Sequence, residues 1–334
     1  MAHDATVKAA IRDRYGSPDV VRIVDVDRPR ATEDRIVVEV RAASVNRADL
    51  DGIHPRPQFA RAFMGLRRPR QVRIGIDVAG VVTEVGPEAT RFRVGDAVFA
   101  DLFSAGDGSF AESVCARETA FETIPDGMTF EEASTLPHAA ILAVQGLRLR
   151  DGRTPGPGDR VLIDGASGNV GPFAIQIAKA LGCHVTGVSR TEKLDFIRGL
   201  GADEVLDYTT TDYTKAGEGY DWILDTDSHH SPLAIRHALR RGGVYVTLGG
   251  TDAGLLKLIA APVIGRAVGR RMGLMLWWKP FHPPDVDRLK ALIAAGQLKP
   301  SIDRRFPLEE IVEALRWVDD GHARGKVVVL PNPA

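Results

Sequence analysis

The first third of the chain alternates short apolar runs with turn signals. Residues 36–40 and 77–82 are rich in valine and isoleucine, as strands are. Gly86-Pro87 and Gly95-Asp96 stand between such runs and are typical of turns. The pattern predicts a mainly β region that ends near residue 124.

After Pro125-Asp126-Gly127 the spacing of apolar residues changes. Short apolar strands now alternate with stretches of helical period, which is typical of βαβ units and of a parallel sheet covered by helices on both faces. We therefore predict an α/β chain, and its 334 residues are enough for two domains. The predicted strands of this part are 160–164, 184–188, 204–206, 222–225, 244–248, 273–277 and 326–330, and the predicted helices are 172–181, 192–200 and 286–295.

Charge and cysteine content exclude several classes of protein. Lys and Arg total 43 against 44 Asp and Glu, so the net charge of -1 gives no electrostatic reason to expect nucleic acid or a membrane surface as partner. Two cysteines, Cys115 and Cys183, make neither a disulfide framework nor a four-cysteine zinc site. The polar N-terminus has no signal-peptide pattern, and no apolar run reaches the ~18 residues of a membrane span. We expect a soluble, cytoplasmic protein.

A glycine-rich loop follows the strand predicted at 160–164. Ala166, Gly168 and Gly171 occupy the three glycine positions of a dinucleotide-binding fingerprint, and Pro172 begins the helix behind them. Any tight strand-to-helix turn can use glycine, but the strand before it, the helix after it and a second strand at the right distance favour a dinucleotide site. The predicted cofactor-binding residues of this loop are Ala166, Ser167, Gly168, Asn169, Val170 and Gly171.

The end of the second strand indicates which cofactor binds. An NAD site has an acidic residue there to hold the ribose 2′-hydroxyl, and this chain has Ser189. Arg190 and Lys193 add two cations that suit a 2′-phosphate, whereas Glu192 is expected to face solvent on the helix. The pattern favours NADPH, and the alternative is that both cations are ordinary surface residues at a helix start.

Further motifs extend over almost the whole chain, from about residue 7 to residue 329. By them it resembles the medium-chain dehydrogenase/reductase superfamily, in its zinc-independent quinone oxidoreductase-like branch. The motifs are Ser44-Val45-Asn46 with Asp49, and the segments 75–82, 92–99, 108–112, 242–250 and 321–329.

The resemblance implies a division into domains and a place for the substrate. It implies a GroES-like, mainly β catalytic domain from residues 1–126 and 279–334, and a Rossmann NADP-binding domain at 127–278. The substrate would bind between them, and a homodimer is the expected assembly. Leu248 and Gly249 join the expected cofactor-binding residues.

Zinc-dependent members of this superfamily hold a catalytic metal, and the resemblance aligns their three ligand positions with Asn46, Ile76 and His138. Only His138 has a side chain suited to zinc. Residues 100–108 also lack the cysteines of the structural zinc loop. We therefore expect no metal.

Hydride transfer to a quinone or an α,β-unsaturated carbonyl needs no Lewis acid, because such a substrate is already polarised. It needs a donor for the developing oxyanion and a source of protons. Asn46 is the candidate donor, and His138 is a candidate donor or proton source, with a packing histidine as the alternative. Asp49 and Asp77 are expected to be structural.

The sequence thus predicts an NADPH-dependent reductase of a small carbonyl or quinone substrate. Two alternatives stay open: a cofactor-gated binding protein with little turnover, and a zinc-free alcohol dehydrogenase. The role of the arginines between Arg56 and Arg73 depends on which of these functions the chain has. They fit a solvated loop, a basic lid near an anionic cofactor or substrate, or a contact surface for a partner or RNA.

Overall fold

A computed structural model describes residues 6–55, 61–106, 108–215, 217, 219–227, 229–248 and 260–331. The chain forms two compact units. Unit 1 lies within Met1–Ala139, Pro280–His282 and Pro300–Ala334, and unit 2 lies within Ala140–Lys279 and Pro283–Lys299. In the described part of the chain, no helix is both long and apolar enough to span a membrane.

Strands and helices are numbered here in chain order within the described residues. The strands are β1 (Thr6–Ile11), β2 (Arg22–Asp27), β3 (Arg35–Val45), β4 (Asp77–Val85), β5 (Ala97–Asp101), β6 (Ser113–Arg117), β7 (Phe121–Thr123), β8 (Arg160–Asp164), β9 (His184–Ser189), β10 (Glu204–Asp207), β11 (Tyr220–Asp225), β12 (Leu239–Thr247), β13 (Arg271–Leu274), β14 (Ile302–Pro307) and β15 (Lys326–Leu330). The helices are α1 (Arg47–Ile53), α2 (Arg61–Met64), α3 (Phe130–Ser134), α4 (Ala139–Gly146), α5 (Gly171–Ala180), α6 (Leu194–Gly199), α7 (Pro232–Ala238), α8 (Ala261–Ala267), α9 (Pro283–Ala294) and α10 (Ile311–Asp319).

Unit 1 is built on a seven-stranded sheet in the order β14-β15-β3-β4-β5-β7, with β6 also paired to β3. All its pairs are antiparallel except β14 with β15. Helix α10 packs on this sheet, because Ile311 and Leu315 lie one turn apart on its buried face. A separate antiparallel pair joins β1 to β2.

Unit 2 is built on a six-stranded sheet in the order β10-β9-β8-β11-β12-β13, and every pair in it is parallel. In chain order within this unit that is 3-2-1-4-5-6, the strand order of a doubly wound dinucleotide-binding sheet. The order reverses between β8 and β11, and ligands bind beside the strand ends at such a reversal. The predicted α/β class with a parallel sheet is confirmed.

The elements follow the predicted pattern closely, and the exceptions have local causes. β15 has the predicted limits, whereas β12 begins at Leu239, five residues earlier than predicted. Arg240, Arg241 and two glycines interrupt the apolar pattern there, although the backbone is extended. The domain limits implied by the resemblance stay a prediction. In the structure, α3 packs as part of unit 1 and α9 packs as part of unit 2.

Candidate functional site

The glycine loop lies between β8 and α5, at the carboxyl end of β8. Gly165 has a φ of +76°, and a Cβ on it would lie 2.1 Å from Thr226 Oγ1. A Cβ on Gly171 would lie 2.3 Å from the carbonyl oxygen of Ala166. Only glycine fits these two positions, so the helix begins directly on the loop backbone. This is the backbone geometry that brings helix N–H groups close to a pyrophosphate.

The loop is joined to the end of β9 by hydrogen bonds. The Ala166 N–H donates to the Val188 carbonyl at 3.0 Å. The hydroxyls of Ser167 and Ser189 lie 2.7 Å apart, and both residues are buried. The structure therefore brings the predicted loop residues and Ser189 together. Of the two positions added by the resemblance, Leu248 is half-buried beyond β12, and Gly249 lies outside the described residues.

Arg190 and Lys193 differ in exposure. The Arg190 side chain is 43% exposed, and its Nε donates to the Tyr208 hydroxyl at 3.0 Å. Lys193 is buried, so it is not an ordinary surface cation. Glu192 is exposed, as expected, and its Oε1 lies 3.8 Å from Arg190 Nη1. Arg190 has extended backbone before a 3₁₀ turn, so the side-chain directions of a regular α-helix do not apply.

Tyr208 was not predicted from the sequence. It directly follows β10, and its backbone N–H donates to the Ser189 carbonyl at 3.2 Å. The same residue therefore contacts both the backbone at Ser189 and the guanidinium of Arg190. Its position after the third strand of the βαβ series is the signal that marks it.

Two buried carboxylates end the strands at the reversal of the unit 2 sheet. Asp164 of β8 is paired in register with Asp225 of β11. The Tyr213 hydroxyl donates to Asp164 Oδ2 at 3.0 Å, and the Tyr245 hydroxyl donates to Asp225 Oδ2 at 2.7 Å. Burial, followed by repulsion from Asp225, raises the pKa of Asp164 to about 7. This pair was not predicted from the sequence.

A second polar group of residues is buried in unit 1. The sheet register aligns Ser44 at the end of β3 with Asp77 at the start of β4, and Asp77 with Asp101 at the end of β5. β15 begins beside the end of β3, which brings Lys326 to the same end of the sheet. His138 precedes α4. The structure thus brings together five chain segments that are far apart in sequence.

Asp77 lies at the centre of this group. Asn46 Nδ2 donates to Asp77 Oδ2 at 2.8 Å, and the backbone N–H of His138 donates to Oδ1 at 3.0 Å. Lys326 Nζ donates to Asn46 Oδ1 at 2.6 Å and lies 3.3 Å from Asp77 Oδ2. Burial raises the pKa of Asp77 and lowers that of Lys326, and their mutual attraction opposes both effects. Asp49 accepts the Asn46 backbone N–H at 2.7 Å, as a residue that stabilises the start of α1.

The amide of Asn46 is used within unit 1. Asn46 is 1% exposed, and its Nδ2 donates to Asp77 and, at 3.4 Å, to the Ser44 carbonyl. This geometry favours a positioning role for Asn46 over the direct donor role that the sequence suggested. Lys326 was not singled out from the sequence.

His138 has a carboxylate partner on its ring. Its Nδ1 lies 2.9 Å from Asp101 Oδ2, and both side chains are buried. Burial lowers the pKa of His138, but attraction and hydrogen bonding by Asp101, with a contribution from Asp77, outweigh it, so that the pKa is raised. Among the described residues, no group of three or more His, Cys, Asp or Glu is arranged to hold a metal ion.

The described arginines of the predicted basic cluster lie in unit 1, between the start of α2 and the start of β4. Arg61, Arg67, Arg68 and Arg70 are exposed, and Arg73 is half-buried. Arg56 lies outside the described residues. Arg61 is stacked over the Tyr15 ring, 5.0 Å from its centroid.

A doubly wound parallel sheet with a glycine loop at its reversal, in one chain with a mainly β unit, defines a two-domain nicotinamide-dependent dehydrogenase or reductase. Comparisons with known proteins agree with this class. Residues 32–144 match the family model described as "Alcohol dehydrogenase GroES-like domain", and residues 200–329 match the one described as "Zinc-binding dehydrogenase".

Individual relatives align over nearly the whole chain. The NAD(P)H oxidoreductase RTN4IP1, mitochondrial, of Mus musculus is 31% identical over 98% of this chain and 90% of its own length. The chloroplastic NADPH-dependent alkenal/one oxidoreductase of Arabidopsis thaliana is 29% identical over 98% of this chain and 80% of its own. The solved structure of the quinone oxidoreductase from Coxiella burnetii has a TM-score of 0.86 at 27% identity, covering 98% of this chain and all of that one.

The chain belongs to the medium-chain dehydrogenase/reductase superfamily, in its quinone oxidoreductase-like branch. The expected GroES-like and Rossmann-type fold is thereby confirmed. The expectation of an oxidoreductase that uses NAD(P)H is confirmed as well.

Proposed function

We propose that this protein is a zinc-independent reductase that uses NADPH to transfer a hydride to a quinone or an α,β-unsaturated carbonyl. The observation that carries the proposal is the end of β9. A small hydroxyl residue, Ser189, stands there in place of a carboxylate, and Arg190 is held beside it by Tyr208. The names of the relatives from Arabidopsis thaliana and Coxiella burnetii support the substrate class.

The residues of unit 2 fit a phosphorylated dinucleotide. The backbone of the loop from Ala166 to Gly171 would hold the pyrophosphate, since glycine at 165 and 171 lets the chain turn tightly from β8 into α5. Ser189 and Arg190 would bind the 2′-phosphate, with Tyr208 fixing the guanidinium and the buried Lys193 adding positive charge nearby. When bound, the dihydronicotinamide supplies the hydride.

In unit 1, Asn46, Asp77 and Lys326 form a rigid buried group that holds the backbone of His138. We assign His138 the role of proton source and Asn46 that of a positioning residue. The zinc-free part of the proposal rests on residue chemistry, because the Ile76 side chain has no ligand atom and an Asn46 amide is a poor zinc ligand. About one zinc per chain, lost with activity on chelation, would contradict it.

Turnover separates this function from the two alternatives. Purified protein is mixed with NADPH and a panel of quinones, α,β-unsaturated ketones and saturated ketones, and loss of the dihydronicotinamide is followed. We expect oxidation with the first two classes only. Tight NADPH binding without turnover would favour the binding protein. Reduction of saturated ketones, and oxidation of their alcohols with NADP⁺, would favour the zinc-free alcohol dehydrogenase.

Arg190→Ala tests the residues assigned to the 2′-phosphate. A charge-assisted hydrogen bond contributes ~1.5–3 kcal/mol, so NADPH affinity should fall roughly 10- to 150-fold while NADH affinity barely changes. Titration calorimetry with each cofactor measures this. Arg198→Ala is the matched control, because Arg198 lies on α6 and pairs with the exposed Asp195. Equal losses of NADPH and NADH affinity would remove Arg190 from this role.

The oligomeric state and the cellular compartment of the protein are also part of the proposal. We propose a homodimer in the cytoplasm, with no nucleic-acid partner and no membrane partner. Light scattering coupled to size-exclusion chromatography should give twice the chain mass. A monomer with full turnover would contradict the dimer.

A further inference from the structure

The carboxylate of Asp101 contacts the His138 ring. Its Oδ2 lies 2.9 Å from His138 Nδ1, and its Oδ1 accepts the Phe103 backbone N–H at 2.9 Å. The Asp101 side chain is 1% exposed. The Phe103 ring lies 6.0 Å from the His138 ring, centroid to centroid. The carboxylate is therefore held in place by its own backbone while it contacts the imidazole.

This contact selects one form of the imidazole. A carboxylate accepts, so the proton of neutral His138 is held on Nδ1, and Nε2 is the nitrogen that gains and loses a proton. The charged groups that face His138 are Asp101 from β5, Asp77 from β4 and Lys326 from β15. The two carboxylates outweigh the single ammonium, which favours the imidazolium.

We propose that Asp101 is a positioning residue that holds His138 as the acid which protonates the reduced substrate. The inference rests on the proposed function, and it names the proton source and the residue that prepares it. Neither Asp101 nor its contact with His138 is visible in the sequence, where the two residues are 37 positions apart.

An α,β-unsaturated ketone accepts a hydride from NADPH at its β-carbon, the π electrons move to the carbonyl oxygen, and an enolate results. The Nε2–H bond of the imidazolium breaks, its proton adds to the enolate, and neutral His138 regains a proton from water. A quinone receives one hydride in the same way and becomes a hydroquinone anion, which takes the proton from this acid when it is basic and leaves as the anion when it is not.

The two substrate classes differ in how much they need this acid. An enolate is strongly basic, whereas the anion of an electron-poor hydroquinone is weakly basic and leaves without protonation. Loss of the acid should therefore lower kcat more for an enone than for an electron-poor quinone. Transfer by general acid catalysis contributes ~10²–10⁴-fold, which sets the upper range of the loss.

The test compares Asp101→Asn with the wild type. The amide keeps the shape of the carboxylate but donates to Nδ1, which shifts the imidazole proton to Nε2 and removes the negative charge. We expect kcat with an enone to fall about 10- to 100-fold with KM nearly unchanged, and the basic limb of the kcat profile to move to lower pH. With an electron-poor quinone, the change should be less than about 3-fold, since that product needs no acid.

A second readout needs no cofactor. Nitrogen-15 NMR of the free protein reports the tautomer of His138 and its titration. In the wild type we expect the Nδ1–H tautomer, and in Asp101→Asn we expect the Nε2–H tautomer and titration at lower pH. Asp96→Asn is the matched control, because Asp96 lies in the same unit and its carboxylate accepts the backbone N–H of Arg93 in an exposed turn. It should leave both readouts unchanged.

Different results would contradict the role of Asp101 and the proposed function of the protein. Turnover by the wild type, with the pH limb and the His138 tautomer both unchanged in Asp101→Asn, would overturn the inference alone. No turnover by the wild type with any acceptor would contradict the proposed function and proton delivery together. If circular dichroism shows that Asp101→Asn does not fold, His138→Gln replaces it. Retention of the basic limb in that variant would overturn the inference.

Discussion

Replacing Lys326 with Met should lower the free energy of unfolding by about 3–5 kcal/mol. Lys326 is 1% exposed, and its ammonium is held by Asn46 Oδ1 and Asp77 Oδ2. Methionine fills the space of the alkyl chain but leaves the Asp77 carboxylate buried without its cation. Breaking a buried ion pair from one side costs far more than the pair contributes as a whole, because the remaining charge is not solvated.

The measurement is urea denaturation followed by circular dichroism. Lys8→Met is the matched control, because it removes a Lys–Glu pair of 2.8 Å in which both side chains are about half exposed. An exposed pair is screened by solvent and contributes little, so the control should lie close to the wild type. A Lys326→Met variant that loses no more stability than Lys8→Met would contradict the described network.

Asp164→Asn should stabilise the protein above neutral pH and change it little in acid. The pKa of Asp164 is about 7 in the folded state and 3.8 ordinarily, because its carboxyl is buried beside Asp225. The folded state then binds more protons than the unfolded state between these two values. The free energy of unfolding therefore falls as pH rises through this window. Above about pH 7 the ionised Asp164 destabilises the folded state to its full extent. Three pKa units correspond to at most ~4 kcal/mol.

Asparagine removes this cost, because it is neutral at every pH and its oxygen still accepts from Tyr213. Urea midpoints at about pH 5 and about pH 8 give the effect, which we expect to be on the order of 1–4 kcal/mol larger at the higher pH. The exposed Asp195 provides the control as Asp195→Asn. Equal effects of Asp164→Asn at both pH values would show that this carboxyl is ionised throughout.

Local features of the sequence predicted most of the fold. Alternation of short apolar runs with helical stretches identified the parallel sheet of unit 2, because burial on both faces makes such strands continuously apolar. The limits of β15 in unit 1 were also correct, because its three valines are buried. The start of β12 was missed, because its first residues are polar and glycine-rich where the strand emerges into solvent. The turn at 191–193 is 3₁₀ rather than α, so the predicted helix begins only at Leu194, although Glu192 is exposed as expected.

Of the two candidate sites, the sequence predicted the glycine loop but not the contacts of the buried polar group in unit 1. The glycine loop is contiguous, so spacing alone identified Gly168 and Gly171. Lys326 and Asn46 are 280 positions apart, and they meet only because β15 pairs with β3. The neighbouring sequence does not distinguish Lys326 or Asp101 from other residues at the ends of strands. Contacts of this kind depend on the sheet register, which a single sequence does not display.

The most direct test of the account is the cofactor preference of the wild-type enzyme. Initial rates of dihydronicotinamide oxidation with one enone give kcat/KM for NADPH and for NADH. We expect NADPH to be preferred roughly 10- to 150-fold, as one charge-assisted contact between Arg190 and the 2′-phosphate provides. Equal or better use of NADH would contradict the assignment of Ser189, Arg190 and Tyr208 as an NADPH site.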